Sequence, residues 1–509
     1  MRKVKVKLYF VLLFLFLPKG WAFEKTEDFL QRFARNPSVV MDEIPEKFNV
    51  RSNPSHQQIF PHEQILTGNF LIAKDRERRQ IMNHSRENSN KAAINDIPGD
   101  QAAKLIDHPE QMVDNLEQME VKKLMTAKLP TRPWSDDYWA TYEGMLGHRY
   151  ADHQMEALNS SGDKTWKVLW DYVQKNPLKS YVYSGKIDLL SPAEKYDLLL
   201  GLEEEGLTQK MWQEGESFYE STGKVETWMG LCHGWAPASY MLPRPTNRLK
   251  VMAADGQTVL NFYPSDIKAL GTLLWAKANF PTHFAGGRCD RKKPKKDEHG
   301  RIIDPECFDN NPGTWHLAVV NQIGVSQRSF VIDATYDYEV WNQPVVEYSY
   351  RYFNPKTRRI QNTLDEAKVE LKDFPQDLFK RYRGRETTTL VGIEMRLTYL
   401  SETDPTHEVS DSPDKDRLTT VLYRYDLELN DQGTIVGGEW YSNAHPDFLW
   451  SPEENVVALS PFDNSLEGEW NDIDKTILPS QWKEEAKKAV EQGMPLAKIV
   501  TILFSASVR

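Results

Sequence analysis

From Thr314 to Trp440 the chain is a succession of β-branched and aromatic runs, whereas the stretch before it carries helix signals. Helices first and strands afterwards constrain the fold to an α+β domain built on an antiparallel sheet. The expected strands are 315–322, 328–335, 339–350, 388–399, 417–428 and 434–441, with Asp431-Gln432-Gly433 turning the chain between the last two. Upstream, Ser191-Pro192-Ala193-Glu194 supplies a Ser cap, a Pro at the first helical position and a Glu at the third, so a helix opens there. A second helix is expected after Ser265 to about Lys277. Between these helices, 249–254 and 258–263 flank Asp255-Gly256, whose glycine supplies the positive φ of a tight hairpin turn.

The first 22 residues have a different logic. Arg2, Lys3, Lys5 and Lys7 precede a ten-residue apolar run from Leu8 to Leu17, and Gly-Trp-Ala closes the segment with small residues around a cleavage point. This pattern is that of a secretory signal peptide, which predicts a secreted or periplasmic protein without a membrane span. Residues 23–127 are charged and weakly periodic and read as a helical, loosely packed leader or propeptide. The catalytic domain is expected over 128–475, opening on the aromatic cluster of 133–142, and a helical tail over 476–509 includes an amphipathic helix at 479–491. A formal net charge of −11 argues against a general nucleic-acid binder. Of the three cysteines, Cys289 and Cys307 bracket a polar loop that a disulfide would close, leaving Cys232 as the odd thiol. The cationic run in that loop, from Arg288 to Lys296, reads as a solvated surface.

Cys232 lies in Trp228-Met-Gly-Leu-Cys-His-Gly-Trp-Ala-Pro-Ala-Ser239. Pro237 has no N–H and is tolerated without kinking in the first turn of a helix, so the thiol is expected at a helix N-terminus. Helix-terminal N–H groups stabilise a thiolate and an oxyanion alike. If strands 315–320 and 329–333 turn between Gly324 and Val325, His316 falls directly opposite Asp333, where a carboxylate accepts the imidazole N–H and turns the other nitrogen to the thiol. A slip of one residue destroys that pair. His233 follows the nucleophile and is expected to point away; Asp337 shares the parity of Asp333 as an alternative orienting acid; His445-Pro-Asp447 reads as a turn. No His or Cys cluster has metal-ligand spacing.

A Cys, a His and an Asp 17 residues beyond the His resemble the transglutaminase superfamily core. WMGLCHGWAPAS, NPGTWHLAVVNQIG (311–324), VWNQPV (340–345) and GGEWYSNAHPDFLW (437–450) resemble the transglutaminase elicitor family more specifically, over roughly residues 130–455. The resemblance implies a papain-like thiol enzyme with Cys232, His316 and Asp333 as its triad, acting on protein glutamine as acyl donor and on lysine or another amine as acceptor. The same analogy offers Trp228 or Trp235 as a wall of an acyl tunnel and Ca2+ as a candidate cofactor, although no EF-hand spacing appears in the sequence. In that family, known from oomycete cell walls and from bacteria, the segment containing VWNQPV is the peptide recognised by plant defence; here it continues as Val346-Glu-Tyr-Ser-Tyr350. Two alternatives share the residues: a cysteine peptidase or glutamine deamidase, in which water takes the acyl group, and a non-catalytic secreted binding protein.

Overall fold

In the computed structural model the described residues are 24–49, 101–159, 165–202, 206–287, 293–304, 307, 310–336 and 339–508. The expected signal peptide, Cys289 and Asp337 lie outside them. The main helices are α1 (Thr26–Arg35), α2 (Trp166–Lys175), α3 (Pro192–Leu200), α4 (Leu207–Thr222), α5 (Cys232–Met241), α6 (Pro264–Lys277), α7 (Pro312–Val319), α8 (Ser480–Glu491) and α9 (Ala497–Ser507). The strands are β1 (Lys47–Asn49), β2 (Thr126–Lys128), β3 (Leu249–Met252), β4 (Val259–Phe262), β5 (Thr282–Gly286), β6 (Val331–Asp333), β7 (Asn342–Asn354), β8 (Arg359–Gln361), β9 (Val369–Glu370), β10 (Thr389–Ser401), β11 (Arg417–Leu429), β12 (Ile435–Trp440) and β13 (Phe448–Pro452).

Antiparallel pairing sets the sheet order β1-β11-β10-β7-β6-β13-β5, and β3 and β4 form a separate hairpin. The mixed helix and antiparallel-sheet architecture expected from the element order is therefore present. Its central rungs are long because β7, β10 and β11 each run 13 residues of β-branched and aromatic sequence. The hairpin turns on Gly256 at φ 68°, where Asp255 Oδ1 accepts from the backbone N–H of Gln257 and Thr258, both at 2.8 Å. Ser191 and Glu194 make the reciprocal capping box that starts α3.

The sheet divides two apolar cores. On one side Val331, Trp450, Leu400 and Phe448 pack with α5, α6, α8 and α9. On the other, Ile332, Leu449, Tyr348, Tyr350 and Tyr425 pack with α7. Val331 and Ile332 on β6, and Phe448, Leu449 and Trp450 on β13, alternate between these cores, as the pleat requires. Burying each large apolar side chain contributes about 1.5–3 kcal/mol, so both faces are firmly specified.

Segment 315–322 departs from the expected strand. Asn311 caps a helix by accepting from Gly313 N at 2.8 Å, Pro312 occupies its first turn, and the helix continues as a π-turn over Val320–Val325. Its start lies tightly on β12: a Cβ on Gly438 would come within 2.9 Å of Pro312, and one on Gly313 within 3.0 Å of Gly437. The described parts of 23–127 are packed rather than loose. β1 extends the sheet beside β11, β2 pairs with β7, and Phe29, Leu30 and Phe33 of α1 join a core with Phe353, Phe379 and Tyr441. The tail is equally built in, with Trp482, Leu503 and Phe504 buried in the core behind α5.

Candidate active site

Cys232 is the first residue of α5 and, among the described residues, the cysteine outside a disulfide. Residues 134–141 hold it there. Leu231 N donates to Tyr138 O at 2.5 Å, Thr141 N to Met229 O at 2.8 Å, and Trp235 Nε1 to Trp134 O at 3.1 Å. Gly234 is required for the close approach of α5 to α6, because a Cβ would stand 2.2 Å from Thr272 O. The first turn of α5 directs backbone N–H groups and the positive end of the helix dipole at the thiol.

The sulfur faces the start of β7. Asn342 Nδ2 donates to Cys232 Sγ at 3.3 Å, and Trp450 Nε1 fixes the amide by donating to Asn342 Oδ1 at 2.8 Å. The thiol in turn donates to Val340 O at 3.6 Å. Asn342 is directly opposite Asp333 in the β6–β7 register. Asp333 Oδ1 accepts from Thr335 Oγ1 at 2.9 Å, Thr335 N at 3.3 Å and Trp341 N at 3.1 Å. Those bonds close the connection from β6 to β7, which carries the Val340 carbonyl. Partly exposed Trp341 sets its ring 5.2 Å from that of Tyr138, tilted by 54°, at the outer side of the seat.

Cys232 and Asp333 thus share one face of the sheet, with Asn342 between them. His316 does not join them. It lies on α7 rather than on a strand, and α7 packs on the opposite face. The expected His316–Asp333 rung is occupied by Asn342–Asp333, since a helical 312–319 cannot pair with β6. His316 Nδ1 pairs with Tyr425 Oη at 2.9 Å and its ring meets Tyr350 edge-on at 4.7 Å. It is fully buried, and burial pushes its pKa down to about 3, so the imidazole is neutral at physiological pH.

Both tryptophans offered for an acyl tunnel are buried. Trp235 is fully buried and bonded to Trp134, and Trp228 is buried in the same core. Trp341 and Tyr138 are the aromatics that reach the solvent side of the thiol seat. His233 is partly exposed beside the thiol residue. His445 stacks on Trp440 at 4.6 Å, on the His316 side, and burial pushes its pKa down to about 4. Cys307 is disulfide-bonded, with its partner outside the described residues. Among the described residues there is no group of three His, Cys, Asp or Glu side chains that could hold a metal ion. No described helix is long and apolar enough to cross a membrane.

A thiol at a helix mouth, faced by a fixed side-chain amide on an antiparallel sheet, defines a candidate thiol centre. The profile of the transglutaminase elicitor family matches residues 106–460, and the chain belongs to that family. The match begins well before residue 128, so it takes in part of the expected leader. Among solved structures the chain is similar to the GP42 transglutaminase of Phytophthora sojae, at 23% identity over 69% of this chain and 88% of that one, with a TM-score of 0.47. No curated protein sequence matches it.

Proposed function

We propose that the protein is a secreted protein-glutamine γ-glutamyltransferase that works through a thioester on Cys232. The observation that carries this reading is the Asn342 Nδ2–Cys232 Sγ bond at the mouth of α5. Thiolate attack on the γ-carboxamide carbon forms the C–S bond and pushes charge onto the carbonyl oxygen. First-turn N–H groups of α5 and the Asn342 amide, anchored by Trp450, are the donors for that oxyanion. Collapse breaks the C–N bond, and the departing nitrogen leaves as ammonia with the proton of the thiol. A lysine amine then takes the acyl group to give an isopeptide, or water takes it to give glutamate. Asp333 acts as a positioning residue, through the bonds that set Val340 and Asn342 around the sulfur. The Cys307 disulfide, assigned to Cys289, fits the same exported context.

The test is incorporation of a biotinylated primary amine into a glutamine-bearing peptide, compared with Cys232→Ala. Labelling lost in the variant supports the transferase. Ammonia release without labelling identifies a deamidase, and peptide-bond cleavage a peptidase.

A second reading, a non-catalytic surface protein recognised by a partner, is favoured by one observation: Cys232 is 1% exposed and His316 is committed to Tyr425 across the sheet. Wild-type protein that neither labels the peptide nor releases ammonia would establish it.

A further inference from the structure

β10 ends at Ser401, and Glu402 opens the connection from β10 to β11. That connection, residues 135–136 and the start of α6 enclose a cavity of about 420 Å³, with Glu402 in its wall. Glu402 is 8% exposed, Gln343 of β7 is 3% exposed, and Gln343 Nε2 donates to Glu402 Oε1 at 2.5 Å. Each group then has one oxygen left over. Glu402 Oε2 and Gln343 Oε1 are both buried, and neither has a hydrogen-bond partner among the described residues. A carboxylate only accepts, whereas a carboxylic acid also donates. One proton on Oε2 therefore supplies the donor that the amide oxygen lacks and employs both stranded atoms at once.

The surroundings favour the neutral acid. Burial pushes the Glu402 pKa up to about 7, against the opposing pull of the Gln343 bond, Arg417 on β11 and Lys47 on β1. The phenols of Tyr399 on β10 and of Tyr138 face the same carboxyl, are pushed up by burial, and stay neutral. Across the cavity Lys268 is engaged by Ser135 O at 2.6 Å and Asp411 at 3.0 Å, and burial pushes Asp136 up to about 7 as well. The other charges of the lining are Asp404, Glu408, Asp411, Asp414 and Asp416, with Lys415 paired to Glu408. In the β6–β7 register Gln343 is opposite Ile332, whereas Asn342 is opposite Asp333. Gln343 therefore leaves β7 on the face away from the sulfur, and what it does is independent of the acyl-transfer reading.

We propose that Glu402 is held as the neutral acid in a cyclic pair with the Gln343 amide, Nε2–H donating to Oε1 and Oε2–H donating to the amide oxygen, and that this pair is a proton-operated latch fastening the β10–β11 connection to β7. The latch is closed while Glu402 carries the proton. When the proton leaves to solvent, a carboxylate oxygen faces the amide oxygen and the second bond is lost. The cavity then gives the charged side chain room to turn away and hydrate. The connection is released at its first residue, next to Thr403, whose N–H donates to Asp136 O at 2.9 Å.

Glu402→Gln in the full-length protein is the discriminating variant, because its amide makes both bonds of the pair and cannot ionise. Folded Glu402 titrates near 7, against 4.5 for the free side chain. The folded wild type thus holds a proton that the unfolded chain has released, so this stability is complete below pH 4.5 and drains as pH rises toward 7. In urea titrations the ratio of the wild-type unfolding constant to that of Glu402→Gln is expected to grow by up to about tenfold per pH unit across that window and to level off above it. Infrared difference spectra between about pH 5 and about pH 9 should show the wild type losing a protonated carboxylic C=O band that Glu402→Gln lacks. Exchange protection of the Thr403 amide, corrected for intrinsic exchange, should fall over the same range in the wild type alone. A flat stability ratio, or no such band at the acidic end, overturns the proposal. Failure of Glu402→Gln to fold does so too, since an amide fits both bonds. Thr403 protection that falls equally in both proteins, or in neither, defeats the latch.

Discussion

Asn342 Nδ2 lies 3.3 Å from Cys232 Sγ, and the same amide is anchored through its oxygen to Trp450 Nε1 at 2.8 Å. A donor so fixed is available to an oxyanion without reorganisation. Replacing Asn342 by Ala is expected to lower kcat for ammonia release by ~10²–10³, the effect of removing one such donor. Trp450→Phe keeps the amide but frees its orientation, with an expected loss of about tenfold. Initial rates against a glutamine peptide measure both; an Asn342→Ala rate equal to wild type removes the amide from the chemistry.

Asp333 and its neighbours distinguish positioning from proton transfer. Asparagine in place of Asp333 keeps an oxygen to accept from Thr335 and Trp341, so Asp333→Asn is expected to retain activity within about tenfold. Asp333→Ala strands those donors, at a cost of about 1–3 kcal/mol each, and is expected to lose both stability and thiol reactivity. The second-order rate of Cys232 alkylation reports the seat directly. Equal inactivation by Asn and Ala would make Asp333 a proton carrier instead.

His316 is expected to be dispensable for turnover, because the sheet lies between it and the thiol. Folded His316 has its pKa near 3, against 6.5 for the free side chain. The unfolded chain therefore takes up this proton as pH falls below about 6.5 while the folded chain does not. Stability from this group is complete above 6.5 and drains as pH drops toward 3, at up to about 1.4 kcal/mol per pH unit. His445 works in the same direction, from 6.5 toward 4. His316→Gln should flatten the stability profile by nearly one proton between pH 6 and 4 in urea titrations and leave amine labelling within about threefold of wild type. Complete loss of labelling in a folded variant returns His316 to the mechanism.

Phe33 stacks on Tyr441 with ring centroids 4.6 Å apart, in the core that ties α1 to the sheet. Truncation to Ala is expected to cost about 3–5 kcal/mol. Deleting the segment through residue 49 also strips β1 from β11 and bares an edge strand. The expected product is destabilised and prone to aggregate, not activated. A folded truncation with higher labelling rates would favour the propeptide reading of residues 23–127.

The helix starts at Ser191 and Cys232, the Asp255-Gly256 hairpin and the long strands β7, β10 and β11 were all legible, because their caps, turn residues and β-rich runs are local. Segment 315–322 misled for a physical reason. A short apolar run buried on all sides has no amphipathic period, so helix and strand look alike, and the Asn311-Pro312 cap was the deciding signal. That error moved His316 across the sheet. Asn342 was missed because a single Asn in a β run acquires its role from register, which pairs it with Asp333 and sets it before the sulfur. The anchoring of 24–49 was hidden for a similar reason: nothing near β1 in sequence names β11 as its partner.

The hexapeptide 340–345 occupies the middle of this architecture. Val340, Asn342, Gln343, Pro344 and Val345 are buried, and only Trp341 reaches the outside. Antibodies raised against the linear peptide should thus ignore the intact molecule and bind it after denaturation or proteolysis. A sensor that reads these six residues as an extended strip would respond to breakdown of the protein, not to its arrival.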